Sequence, residues 1–342
     1  MTGDINDAHL SSSARVLQML KDANYATNEH GIVSFRKFYN NTALDFDIRD
    51  MKEDFIRLLK AKESPNIFSF CQFPFLIDAN FKSIMMQLEA SIESEGAMRD
   101  AMFSSMFTGA SRAESDHFLV VNINRMNLVP SALREIERNG ARLQRPLRVK
   151  FTGEEGIDEG GVRKEFFQML CKVLLDPDFN MFKPSDEHVL WFVPDISNAA
   201  NHREFRLIGQ TLGLAVFNNV MLDVNFPKCL YRMILHPECQ LTVDDLAEVD
   251  PGLAQGMKDL LEFEEVPDED LTVEEVFCRS FVFEHDVFGE KIETEIVADG
   301  SNKPLTGENR KEFVDAIVEY VIRKSIKENF NKFRDGFLSV CN

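Results

Sequence analysis

Positive charge is scarce in this sequence. The chain has 38 lysines and arginines against 57 aspartates and glutamates, which gives a formal net charge of −19 at pH 7. Nucleic acids and anionic membranes attract proteins largely through positive charge. The composition therefore argues against a nucleic-acid or membrane partner.

The acidic residues are concentrated between positions 241 and 275, where thirteen acids accompany a single basic residue, Lys258. One explanation is a solvated surface that keeps the protein soluble. The other is electrostatic steering of a basic partner, which accelerates association more than it tightens binding. The sequence alone leaves both open.

Long apolar runs are also missing. The most apolar stretch, 207–224, is interrupted by Gln210, Asn218, Asn219 and Asp223, whereas a membrane span needs about 20 predominantly apolar residues. No apolar segment of the kind found in a secretory signal follows Met1. These features predict a cytosolic or nuclear protein.

Cysteine is infrequent and irregularly spaced. Most of the six cysteines have apolar neighbours, which is typical of reduced thiols that pack as small hydrophobic groups. No Cys-x-x-Cys pair or matching histidine spacing predicts zinc, so we expect no metal and no cofactor. The six are Cys71, Cys171, Cys229, Cys239, Cys278 and Cys341.

The segment 28–38 resembles the second half of a calcium-binding loop because it has a central Gly31. When that glycine is aligned with the loop pattern, Ala26 occupies the first ligand position and Lys37 occupies the last. The last position requires a bidentate glutamate. The segment is therefore better explained as a packing element.

Hydrophobic periodicity predicts a helix-rich α+β fold with a few short strands. A helix at 204–218 carries Gly209 and Gly213, which are costly inside helices and predict close backbone packing. Small polar residues at 108–116 predict a linker. The other predicted helices are 13–23, 50–62, 81–107, 130–138, 160–175, 226–235, 253–263 and 308–333, and the predicted strands are 118–122, 147–151, 188–193 and 277–283.

The most informative stretch is 149–175, VKFTGEEGIDEGGVRKEFFQMLCKVLL. A short strand leads into a loop rich in glycine and acid, and the loop opens into an amphipathic helix. The loop lacks the Gly-Lys-Ser/Thr ending of a phosphate-binding loop and the ligand spacing of a calcium loop. Its chemistry alone is that of an acidic turn before a helix.

The same stretch resembles the signature of the HECT family of ubiquitin-protein ligases. Five further blocks resemble family segments in the family's order, so that the resemblance covers roughly 118–342. These blocks are FNMFKPSDEHVLWFVPD at 179–195, FRLIGQTLGLAVFNNVMLDVNFP at 205–227, MKDLLEFE at 257–264, VEEVFCRSFVFEHDVFGE at 273–290 and LTGENRKEFVDAIVEYVIRKSI at 305–326.

The resemblance implies a domain organisation. Residues 1–115 would form a helical extension, and 116–342 would form the N-lobe of a HECT domain. That lobe has a large, mostly helical subdomain and a smaller subdomain, about 223–307 here, that holds a ubiquitin-conjugating enzyme. We expect the chain to end before the hinge and before the C-lobe that bears the ligase cysteine.

The resemblance also implies a docking groove for the conjugating enzyme. On the residues alone, each position is better explained as an ordinary core position, and only the family resemblance favours docking. Phe313 is expected to be the main anchor and Leu253 the second. The implied residues are Leu253, Met257 and Phe263 from one helix and its following turn, Phe277 and Arg279 from a strand, and Lys311, Phe313 and Ile317 from the next helix.

Three positions depart from patterns found in the family. Arg279 and Ile317 stand where some relatives have an apolar residue and a tyrosine, so the preferred conjugating enzyme is expected to differ. Glu159 replaces an aromatic residue that one branch uses to bind free ubiquitin. That second site is therefore not expected here.

The function implied is part of ubiquitin transfer. The chain would dock a ubiquitin-loaded conjugating enzyme, ubiquitin would pass as a thioester to a ligase cysteine outside this chain, and then to a lysine of an unknown protein substrate. No catalytic residue is expected here: Cys278 lies near Arg279 and His285 but in an acidic neighbourhood, and Cys341 is expected to be exposed and unsupported. The alternatives are a non-catalytic adaptor that binds or sequesters a conjugating enzyme, and a calcium-responsive scaffold.

Overall fold

The computed structural model divides the chain into two compact units. The first comprises Met1–Leu119, Gln144–Pro146 and Phe217–Asn219, and the second comprises Val120–Leu143, Leu147–Val216 and Val220–Asn342. The predicted boundary at 115/116, like most of the predicted linker, lies outside the described residues. The structure describes residues 7–26, 33, 35–39, 48–60, 68–108, 118–154, 160–185, 189–198, 202–266, 272–287 and 290–341.

In its described residues, the first unit contains three long helices, α1 (Asp7–Ala26), α2 (Ile48–Lys60) and α3 (Ala79–Thr108). They confirm the predicted helices and extend most of them at their ends. Phe68, Phe73 and Leu76 form one buried cluster, and Ile77, Phe81 and Met85 form another. Most of the predicted calcium-like segment, including Gly31, lies outside the described residues.

Where the structure describes it, the second unit combines helices with three two-stranded sheets, which confirms the helix-rich α+β class. The strands are β1 (Leu119–Ile123), β2 (Leu147–Phe151), β3 (Phe182–Pro184), β4 (Leu190–Phe192), β5 (Val282–Val287) and β6 (Glu290–Glu295). The helices are α4 (Leu128–Arg138), α5 (Gly161–Leu174), α6 (Asp195–Asn198), α7 (His202–Phe217), α8 (Lys228–Leu235), α9 (Val243–Val249), α10 (Pro251–Glu262), α11 (Val273–Phe277), α12 (Arg310–Ile322) and α13 (Lys327–Leu338). No helix in the described part of the chain is long and apolar enough to cross a membrane.

An aromatic core occupies the second unit. The ring of Phe192 on β4 stacks on that of Phe205 on α7, with centroids 5.7 Å apart, and meets the edge of Phe333 on α13 at 5.4 Å. Phe182 on β3 completes the group at 4.8 Å from Phe192. Each of these rings is almost fully buried, so the core fixes the hairpin β3–β4 against two helices.

Glycines bring the backbones of α7 and α13 together, as the sequence predicted. A Cβ placed on Gly209 would lie 1.9 Å from the carbonyl oxygen of Phe333, and one on Gly336 would lie 2.1 Å from that of Arg206. One on Gly213 would meet Val340 at 2.9 Å. No side chain fits at such distances, so the small residues are required by the packing.

The predicted single helix over 308–333 is wrong. The segment is divided into α12 and α13 by a 3-10 turn at Lys324–Ile326. The carboxylate of Asp195 accepts hydrogen bonds from the backbone N–H groups of Glu328, at 2.8 Å, and Asn329, at 3.1 Å. Asp195 thus satisfies two of the unpaired donors that a new helix start exposes, and the local sequence gives no sign of it.

Candidate functional site

Helix α10, which carries the first predicted docking residues, is fixed at its start by its own sequence. The Asp250 carboxylate accepts a hydrogen bond from the backbone N–H of Leu253 at 2.9 Å, and Pro251 occupies the first helical position, where its missing N–H costs nothing. The helix packs against α9 and α12. It buries Met257, at 8% exposed, and leaves Leu253 half-buried.

Two aromatic rings meet at the far end of α10. Phe263 and Phe277 stand edge to face, with centroids 5.5 Å apart and planes at 87°, a favourable arrangement for aromatic pairs. Both side chains are half-buried. We call this pair the aromatic edge.

Polar contacts hold the aromatic edge in place. The Arg310 guanidinium at the start of α12 donates to the carbonyl oxygen of Phe263 at 2.6 Å. The Glu265 carboxylate accepts from the backbone N–H of Val273 at 2.9 Å, at the start of α11. The segment that follows α10 is thereby joined to the starts of α11 and α12 around the two rings.

Two other predicted docking residues lie in the interior. Phe313 is 2% exposed and Ile317 is 3% exposed. The rings of Phe313 and Phe281 meet edge to face, with centroids 5.1 Å apart. The Lys303 ammonium lies over the Phe281 ring, 4.3 Å from its centroid. Phe313 therefore offers almost no surface to a partner, and its predicted anchoring role stays a prediction.

The predicted strand at 277–283 is wrong in its first half. Phe277 is the last residue of the five-residue helix α11, and Cys278 ends that helix with a left-handed φ of 45°. Thr272 caps the helix by accepting from the backbone N–H of Glu275 at 3.4 Å, and this local capping outweighs the alternating pattern. Arg279 follows in a connecting segment, where its carbonyl oxygen accepts from Leu305 N–H at 2.8 Å.

The surroundings of the aromatic edge are acidic. Arg279 and Lys311 are the two basic members of the predicted docking set, and both are exposed. Lys258 on α10 is paired with Asp244 at 2.9 Å. Acidic side chains exposed along this part of the chain are Asp259, Glu262, Glu264, Glu265, Glu274 and Glu275, and they give the surface a negative potential.

Burial raises the thiol pKa of four of the six cysteines. Burial raises the pKa of Cys71 to about 11 and that of Cys171 to about 12, and burial also raises the pKa of Cys229. Cys341 is not exposed as predicted: it is half-buried, its thiol donates to the carbonyl oxygen of Gly213 at 3.4 Å, and burial raises its pKa to about 11. Cys278 is exposed, and its thiol donates to the carbonyl oxygen of Glu275 at 3.1 Å.

Among the described residues, no group of three or more potential ligands is placed to hold a metal ion.

Sequence reasoning did not find Arg125, which holds the beginning of the signature loop. Its guanidinium lies 3.7 Å from the ring centre of Phe151 at the end of β2. It also pairs with Glu154 in the loop and with Glu165 on α5, the latter at 2.8 Å. The hydrogen bonds from Arg125 lower the pKa of both carboxyls. Residues 155–159, including Glu159, lie outside the described residues.

The chain is similar to known proteins over most of its length. Residues 168–342 match the model of the HECT domain, described as ubiquitin-transferase. A mouse protein named probable E3 ubiquitin-protein ligase HECTD2 is 33% identical over 97% of the chain and 43% of its own length.

Human HERC3 and fission-yeast mug30, both named probable E3 ubiquitin-protein ligases, are 36% and 30% identical over 85% and 98% of the chain. The chain spans 28% of the length of HERC3 and 39% of the length of mug30, so it corresponds to less than half of each of these relatives. The family match covers just over half of the chain, and this chain belongs to the HECT family.

Proposed function

We propose that this chain docks a ubiquitin-loaded conjugating enzyme on the surface around the aromatic edge. Membership of the HECT family supports this role, and so do the names of the relatives as E3 ubiquitin-protein ligases. The observation that carries the proposal is the aromatic edge itself. Its two rings are half-buried, and polar contacts join the segment after α10 to the starts of α11 and α12, so little conformational freedom is lost when a partner binds.

We assign different roles to the predicted docking residues according to their burial. Phe263, Phe277 and Leu253 have surface available for contact, and Arg279 and Lys311 are exposed. Phe313, Ile317 and Met257 support this surface from within the helix packing. Binding energy is usually concentrated in a few aromatic anchors, and we assign that role to the aromatic edge rather than to Phe313.

The acidic surroundings select a partner with basic residues near its docking loop. Such complementarity raises the association rate and is weakened by salt. We therefore expect the affinity for a conjugating enzyme to fall as ionic strength rises. We expect a conjugating enzyme with an acidic docking face to bind poorly.

This chain would contribute to ubiquitin transfer by positioning the conjugating enzyme. A docked conjugating enzyme is held near the cysteine that accepts ubiquitin, which converts a bimolecular encounter into a local one. We assign the acceptor role to none of the cysteines in this chain. Burial raises the thiol pKa of four of them, and Cys278 has an acidic neighbourhood. Ubiquitin would then reach a substrate lysine from the ligase cysteine.

Calorimetric titration with a panel of conjugating enzymes tests the proposal. We expect saturable binding to at least one of them. We also expect the substitution Phe277→Ala to weaken it about tenfold or more, because truncating an aromatic anchor costs roughly 1–2 kcal/mol of binding free energy. Met221→Ala is the matched control, because Met221 is 95% exposed and lies outside the predicted docking set.

The expected control result is unchanged affinity for Met221→Ala. Equal affinities for Phe277→Ala and the unmodified chain would remove the aromatic edge from the docking surface. A complete lack of binding across the panel would contradict the docking function.

A further inference from the structure

A cavity of about 390 Å³ lies in the second unit, and its lining includes none of the predicted docking residues. Strands β3, β4 and β5 line it, together with residues at the end of α9 and of α12. Its apolar walls include Trp191, Val249, Phe283 and Val321. Cavities of this size with mainly apolar walls and a few polar groups are typical of small-ligand sites.

Lys183 supplies a positive charge that no described carboxylate pairs with. It is paired with Trp191 in the register of the β3–β4 hairpin, so the two side chains lie on the same face. Lys183 is exposed at the cavity and makes no ion pair with any carboxylate that the structure describes. The indole N–H of Trp191 is buried and finds no acceptor among the described residues, which is costly for a buried donor.

The acidic groups of the lining are already engaged. Asp250 caps α10 through the hydrogen bond to Leu253 N–H at 2.9 Å, and Glu284 pairs with Lys291 at 3.2 Å. Among the described residues, these two carboxylates of the lining are therefore already engaged, whereas Lys183 has no carboxylate partner.

His285, which also lines the cavity, adds a neutral wall. Its Nε2 lies 2.7 Å from the hydroxyl of Tyr320. Burial lowers the pKa of His285, and the nearby charge of Lys183 lowers it further. A lowered pKa favours the neutral imidazole, which adds no second positive charge beside Lys183.

We propose that this cavity binds an organic carboxylate with an apolar body. The carboxylate pairs with the ammonium of Lys183 and provides acceptor oxygens next to the indole of Trp191. The apolar body packs between Trp191 and Phe283. A free aryl or alkyl acid and the C-terminal apolar residue of a peptide share this chemistry.

Trp191 is the only tryptophan of the chain, so its fluorescence reports on this cavity directly. The full chain is titrated with phenylbutyrate and with the uncharged phenylbutanamide. We expect a saturable fluorescence change and a rise in melting temperature with the acid, since a ligand of the folded state stabilises it. The amide is expected to bind at least about tenfold more weakly, because charge-assisted hydrogen bonds are the stronger ones.

Lysine variants locate the charge. Lys183→Gln is expected to reduce the affinity for phenylbutyrate to that for the amide, and Lys183→Arg is expected to restore most of it. Lys172→Gln is the matched control, because Lys172 is an exposed lysine on α5 outside the lining, and it should bind as the unmodified chain does. Melting curves of the variants establish that each is folded.

Hexapeptides that end in phenylalanine distinguish the two ligand sources. If the peptide with a free C-terminal carboxylate binds and its C-terminally amidated form does not, the ligand of the cavity is a peptide C-terminus. Binding of phenylbutyrate alone assigns a free acid. The proposal is overturned if acid and amide bind equally, if no tested carboxylate alters the fluorescence, or if Lys183→Gln binds as Lys172→Gln does.

Discussion

Two helix pairs in the second unit are joined in opposite ways. Helices α7 and α13 meet through glycines, with backbone atoms too close for any side chain between them, and the adjoining aromatic rings are buried. Helices α10 and α12 are joined by the side chain of Arg310 on α12, which donates to the carbonyl oxygen of Phe263 directly after α10. The two rings of the aromatic edge beside them remain half-buried. Close packing leaves no surface for a partner, whereas polar attachment fixes the helices and keeps apolar surface available.

The largest expected effect is on the free energy of unfolding, which should fall much more when a buried phenylalanine of the predicted docking set is truncated than when an accessible one is. Phe313→Ala should lower the free energy of unfolding by about 3–5 kcal/mol, the usual cost of emptying a buried phenylalanine site. Phe277→Ala should cost about 1 kcal/mol, because its ring is half-buried. Urea denaturation of both variants measures the difference. Equal losses would contradict the division of the set into supporting and contacting residues.

Substitution of a glycine at the contact between α7 and α13 should lower stability nearly as much. Gly209→Ala places a Cβ 1.9 Å from a backbone oxygen, so the helices must move apart, and we expect a loss of about 3 kcal/mol. Gly256→Ala in α10 is the matched control, because a Cβ there meets nothing within 4 Å. It should raise stability by about 0.5–1 kcal/mol. If both variants were stabilised, the backbones of α7 and α13 would not be in close contact.

The smallest effect concerns the start of α13. Asp195→Ala removes the acceptor for two backbone N–H groups, so we expect about 1–2 kcal/mol of destabilisation. Hydrogen exchange should accelerate at the amides of Glu328 and Asn329. Asp223→Ala, an exposed aspartate, should change stability by less than about 0.5 kcal/mol. Unchanged exchange at both amides in Asp195→Ala would show that the cap is dispensable.

Local patterns were sufficient for much of the fold. Strand β2 has the predicted bounds, α10 begins within a few residues of its predicted start, and the close packing at Gly209 and Gly213 was expected from glycines inside a helix. Each of these features depends on neighbours in sequence or on one helix face. The family resemblance also rested on contiguous blocks of residues.

Features that depend on distant partners were not predictable. The division of the closing helix depends on Asp195, more than 130 residues away. Burial of Phe313 depends on its contact with Phe281, and the sequence could not distinguish a core position from a docking position there. Helix α9 was missed because its acids suggested a solvated surface, although Thr242 and Asp245 form a capping box that marks its start.

The burial of the thiols makes selective labelling of this protein straightforward. Alkylating reagents attack the thiolate, and burial suppresses that form at Cys71, Cys171, Cys229 and Cys341. Cys278 is the exposed cysteine, and it directly follows Phe277 of the aromatic edge. A maleimide dye should therefore attach there first and act as a proximity sensor at the surface where we expect the partner to bind.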